Sequence, residues 1–122
     1  MTAGNEDAND TRNGLVFHGF GVTGEQVAGV FRSALNAAAA LPAASIEIVI
    51  QGKAVTALAV DGGLSIPVFD AQQAGIAVFA CENSMRAAAL DRENLLPGVG
   101  TVPSAVLHLA QRQWENWAYI RL

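Results

Sequence analysis

The chain has 122 residues, the usual length of one domain, with 52% hydrophobic and only 15% charged residues, a balance that points to strands buried on both faces. Its net charge is −4 and its seven basic residues are scattered, which argues against a nucleic-acid surface; no uninterrupted apolar stretch reaches the ~18 residues of a membrane span. A single cysteine, Cys81, excludes an intrachain disulfide and a cysteine-based zinc site.

Residues 1–13 are polar and small without periodicity, and are expected to form a mobile tail ahead of one domain over residues 14–122. No charged segment followed by an apolar one opens the chain, so a cytoplasmic location is expected. The short apolar run Leu15 to Phe20, bounded by Gly14 and Gly21, predicts the first strand. Thr23 and Gln26 then fit a capping box. Val27, Val30, Phe31, Ala34, Leu35 and Ala38 follow helical spacing up to a stop before Pro42.

Ser45 to Ile50 is a β-branched run and predicts the second strand, ended by Gln51 and Gly52. Two short helices are expected next, over Lys53 to Val60 and Pro67 to Ala74, the second stopped by Gly75. Ile76 to Ala80 is apolar throughout, as strands covered on both faces are. Cys81 follows it directly, and Asn83 or Ser84 is placed to cap a helix running to about Leu90. Val99 to Val102 predicts a fourth strand, and Pro103 stands at a helix start. The last helix is expected to bury Val106, Leu107, Ala110 and Trp114, leaving His108 solvated with Ser104, Gln111 and Glu115. Trp117 to Ile120 predicts the final strand. This alternation favours a three-layer α/β/α domain with a parallel sheet, whose ligands bind at the carboxyl ends of strands.

Cys81 falls at that edge. The amides of the following helix favour its thiolate, the nucleophilic form. Glu82 opposes ionisation, and Arg86 offsets Glu82 if the helix brings it close, so the sign of the shift stays open. Against reactivity stands the tendency of free cysteines simply to pack. His18 also falls near the carboxyl edge, as a base, a relay partner or a donor to a ligand, or else as a partly buried histidine bonded to backbone. The Gly19 to Val22 loop lacks the spacing of a phosphate-binding turn. Paired catalytic carboxylates and a metal-ligand set are not evident, and no cofactor is expected.

The segment Cys81-Glu82-Asn83-Ser84-Met85 resembles the Cys-x-Asn-Ser/Thr stretch of DsrE/DsrF-like proteins. Val16-Phe17-His18, Asn36, Gln51-Gly52, Leu95 to Val99, Val102-Pro103-Ser104 and Trp117 to Ile120 match further family features in order, over residues 14–122. Asn116 stands where the family usually has Gly, a position that asks for a left-handed turn. Lys53-Ala54 replaces a Gly/Pro-rich stretch. The resemblance implies a five-stranded parallel sheet of the flavodoxin-like topology class, a homotrimer or hexamer, and sulfur transfer through a persulfide on the cysteine matched by Cys81. Asn83, Ser84, His18 and Arg86 would then assist. The implied partners are a donor or acceptor protein, or a small sulfane-sulfur compound.

Two other readings remain open. One is a non-catalytic oligomeric binding module in which Cys81 only packs, with Trp114, Trp117 and Tyr119 as candidate interface aromatics. The other is a thiol redox sensor, forming a sulfenic acid without a resolving cysteine.

Overall fold

The computed structural model describes residues 13–122. The expected tail, apart from Asn13, lies outside the described residues. Asn13 is tied to the domain, its carbonyl accepting the Ser45 N–H at 3.0 Å.

Five strands form one parallel sheet: β1 (Gly14–Gly19), β2 (Ser45–Ile50), β3 (Ala77–Cys81), β4 (Gly100–Val102) and β5 (Ala118–Arg121), in the order β4-β3-β2-β1-β5. The helices are α1 (Gly24–Ala40), α2 (Ser65–Gln73), α3 (Glu82–Ala87) and α4 (Ala105–Trp114), joined by 3-10 turns at Gly52–Leu58 and Arg92–Asn94. This is the expected α/β architecture.

Strand alternation divides the sheet into two unlike faces. Phe17, Ile46, Ile48, Ile50, Val78 and Ala80 point to one side and meet Val27, Val30, Phe31 and Ala34 of α1, Val68 and Ala71 of α2, and Met85 of α3. On the other side Val16, Val49, Cys81 and Val102 meet only Ala105 and Leu109 of α4, with Phe79 and Trp117 at the margin. Burying a side chain such as Ile48 or Phe31 contributes roughly 1.5–3 kcal/mol, so the first face supplies most of the stabilisation.

The local signals explain the element ends. At the start of α1 the Gln26 N–H donates to Thr23 Oγ1 at 3.1 Å, and Gln26 Oε1 accepts the Thr23 N–H at 3.0 Å, the predicted capping box. Gly75 and Asn116 both adopt positive φ, at 83° and 70°, as the turns after α2 and α4 require.

Several expectations need correction. The segment after β2 is a 3-10 turn rather than an α-helix, although Ala54, Val55 and Leu58 are buried as expected. Helix α2 starts at Ser65, two residues early, because Pro67 in a first turn has no N–H to lose from the helical ladder. Cys81 belongs to β3, pairing with Val102, and is itself the N-cap of α3, so Asn83 and Ser84 do not cap. Helix α3 ends at Ala87, short of Leu90, where Ala89 turns left-handed at φ 55°.

The largest correction concerns α4. Its buried residues are Ala105 and Leu109, whereas Val106, Leu107 and Trp114 are 66%, 49% and 76% exposed. The helix turns His108 and Arg112 toward the sheet because Glu47 on β2, 7% exposed, needs a cation and hydrogen-bond partners there. The expected solvated His108 instead lies within hydrogen-bond distance of Glu47 and beside the Phe79 ring, with centroids 5.5 Å apart.

Candidate functional site

At the carboxyl ends of β2 and β3 lies a cleft of about 420 Å³, a size that suits a small ligand. Three chain segments meet there: the Gln51 to Lys53 turn after β2, the start of α3, and the Ser104 to Val106 start of α4. Cys81 lines this cleft and is 2% exposed.

The sulfur is surrounded by donors. The Ala105 N–H points to Sγ at 3.4 Å. Burial pushes the thiol pKa up, but the Ser84 hydroxyl and then the N–H groups of Ser84, Ala105 and Asn83 outweigh it, and the thiol is held below its usual range. Ser84 is itself fixed, its Oγ accepting the Gly52 N–H at 2.8 Å. That bond depends on glycine. Gly52 has φ 72°, and a Cβ there would stand 2.3 Å from the Phe20 ring.

Glu82 does not raise the thiol as its position suggested, because it points elsewhere. Its carboxylate accepts the Thr101 hydroxyl at 2.7 Å and pairs with Arg92 in a neighbouring groove. Those two contacts hold its pKa below the usual range. Arg86 lies in that same groove and bonds the Asn83 carbonyl oxygen instead of lining the cleft. Asn83 and Ser84 do line the cleft with Cys81, and Arg86 reaches it only through Asn83.

His18 is buried on β1, 7% exposed, and does not line the cleft. It bonds side chains rather than backbone: Nε2 lies 2.8 Å from Gln51 Oε1 and Nδ1 lies 2.6 Å from the Tyr119 hydroxyl. Burial lowers its pKa, the Gln51 bond opposes this, and Arg121 adds to it, leaving the ring pKa below the ordinary value. A neutral ring with its proton on Nε2 satisfies both contacts.

The acid that sequence reading passed over is Glu47. Arg112 grips it with two bonds, Nε to Oε1 at 3.0 Å and Nη2 to Oε2 at 2.7 Å, and His108 Nε2 lies 2.7 Å from Oε1. Burial raises the Glu47 pKa, but Arg112 and then His108 outweigh it and hold the carboxyl below its usual range. The signal was present: one acid within Ser45 to Ile50, a strand otherwise apolar, asks for a buried cation. Arg112 also stacks over the Trp117 ring at 4.6 Å. Among the described residues no three His, Cys, Asp or Glu side chains gather as metal ligands would. None of their helices is long and apolar enough to cross a membrane.

No protein-family model matches the chain, and no curated protein matches it. Among solved structures it is similar to a protein of unknown function, MTH1491 from Methanobacterium thermoautotrophicum, with 34% identity, a TM-score of 0.84, and coverage of 90% of this chain and 99% of that one. The ychN protein from E. coli is 15% identical with a TM-score of 0.73, over 90% of this chain and 97% of that one. A conserved protein of unknown function from Bacteroides thetaiotaomicron, BT1422, is 19% identical with a TM-score of 0.71, over 94% and 97%. The last two likenesses establish the fold alone, which is that of DsrE/DsrF-like proteins.

Proposed function

Because this chain belongs to the family of MTH1491 and has the DsrE/DsrF-like fold, we propose that it is a sulfur carrier, holding a persulfide on Cys81. The observation that carries this reading is the donor set around Sγ of Cys81, which lines an open cleft. The Cys81 thiolate attacks the outer sulfur of a persulfide donor, R–S–SH. A new S–S bond forms on Sγ as the donor S–S bond breaks, and R–S⁻ leaves with the electron pair, so no external oxidant is needed. The donors that favour the thiolate also stabilise the charge of the resulting persulfide.

The partner is a donor or acceptor protein or a small sulfane-sulfur compound. The resemblance implies that the carrier is a homo-oligomer, a trimer or hexamer, and the apolar face that α4 turns outward with Val106, Leu107 and Trp114 supports an assembly. Val106 also lines the cleft, so a second copy seated on this face would bear on access to Cys81.

The test is mass spectrometry of the intact chain after exposure to polysulfide. The expected result is an increment of one sulfur on Cys81, lost on reduction and absent in Cys81→Ser. No increment at any donor concentration would end the reading.

One observation favours a second reading, an oligomeric binding module with a structural cysteine: Cys81 packs with Val16, Val49, Val102, Ala105 and Leu109. That reading expects slow iodoacetamide alkylation in the folded chain and full function in Cys81→Ser.

A further inference from the structure

The polar side chains that line the Cys81 cleft offer donor ends to a ligand. Gln51 has its carbonyl end occupied, because Oε1 lies 2.8 Å from His18 Nε2. The Tyr119 hydroxyl, 2.6 Å from Nδ1, completes the ring's bonding and keeps the proton on Nε2. The NH2 end of Gln51 is therefore the end left for the cleft. Asn83 is arranged in the same way: Arg86 occupies its carbonyl oxygen, leaving its NH2 group. Lys53 adds an ammonium to the same wall. The Ser104 Oγ accepts the Leu107 N–H, so its hydroxyl has a proton to give, while the Ser84 hydroxyl is turned to Cys81. Among the described residues no carboxylate lines this cleft, and Glu82, adjacent to Cys81 in the chain, faces the groove with Arg92. Ala87, Ala88 and Val106 supply the apolar remainder.

From this one-sided polarity we infer that the cleft selects an anionic sulfane-sulfur donor, its charged head held by Gln51, Lys53 and Asn83 and its sulfur presented to Cys81. The sulfur half of this inference rests on the carrier reading above; the charge half rests on the cleft alone. For a donor X–S⁻ the Sγ–S bond forms, the S–X bond breaks, and X leaves as an anion with the electron pair, which balances without a further reactant. His18 acts through Gln51 as a positioning residue, since without it the amide is free to turn its oxygen into the cleft.

The single cysteine makes the test direct. The rates at which iodoacetate and iodoacetamide alkylate Cys81 are compared, because their ratio reports charge selection and cancels changes in thiol pKa and access. The expected ratio falls about tenfold in Gln51→Glu and in Lys53→Met, the effect of one charge-assisted bond lost. It also falls in His18→Phe. In the wild-type chain sulfate protects Cys81 from iodoacetate. Should Gln51→Glu not fold, the exposed Lys53→Met and sulfate protection still decide. A wild-type ratio equal to that of Lys53→Met, without sulfate protection, overturns the inference. Sulfur uptake from a neutral organic trisulfide with no charge selection would spare the carrier reading and remove this one. Charge selection without any persulfide would remove the carrier reading and the sulfur half of this inference with it, and leave the charge half standing.

Discussion

Cys81 and Glu47 lie on the same face of the sheet, and each has its pKa held below the ordinary value by its neighbours, Ser84 and Ala105 for Cys81 and Arg112 and His108 for Glu47. For Cys81 the decisive neighbour is Ser84, so the alkylation rate should titrate with a midpoint below the free-thiol ~8.5, and Ser84→Ala should move that midpoint up. Gly52→Ala should act on the same bond from the other side. It sets a methyl group against Phe20 at a positive φ, so a loss of at least about 1–2 kcal/mol in urea unfolding is expected, with slower alkylation. Glu47 carries stability with a defined pH dependence. Its folded pKa is depressed below the ordinary 4.5, so its contribution is complete above that value and is lost as pH falls through the lower folded pKa. Glu47→Ala leaves Arg112 and His108 without their carboxylate and should cost about 3–5 kcal/mol, with the wild-type and variant curves converging in acid.

At the scale of elements, the strands and α1 follow closely from local pattern, and the shorter helices do not. The capping box at Thr23 and the period of Val27, Val30, Phe31 and Ala34 suffice for α1. Helix α3 has only six residues and ends on Ala89 in a left-handed conformation that glycine adopts without strain. Ala89→Gly should therefore stabilise the domain by about 0.5–1 kcal/mol, read as a rise in the urea midpoint at unchanged slope. Helix α4 was misread in phase because a hydrophobic pattern assumes that apolar residues face inward. Here the inward stripe holds His108 and Arg112 beside Ala105 and Leu109, while Gln111 and Glu115 stay exposed as expected. Nothing within α4 signals this; the cause is one residue on β2, some 60 positions earlier.

At the scale of the whole molecule, among the described residues one face of the sheet is covered by three helices and the other by α4 alone. In the oligomer proposed above, the apolar residues on the outer side of α4 would form the contact, as burying them contributes at about 25 cal/mol per Å². Trp114→Glu should shift the chain toward monomer in sedimentation velocity while leaving its circular dichroism unchanged. A wild-type chain that sediments as a monomer at all concentrations would rule out the assembly.

The sequence by itself determined the parallel α/β sheet and the place of Cys81 at its carboxyl edge, since each follows from signals only a few residues long, and the family resemblance added the left-handed turn at Asn116. Only the tertiary structure decided which way the neighbours of Cys81 turn: Glu82 away with Arg92, Ser84 toward the sulfur, and Gln51 locked by His18. It also decided that α4 turns its charged stripe inward. Hydrogen bonds and ion pairs between distant segments set these orientations, and such pairings leave no periodic trace in the chain.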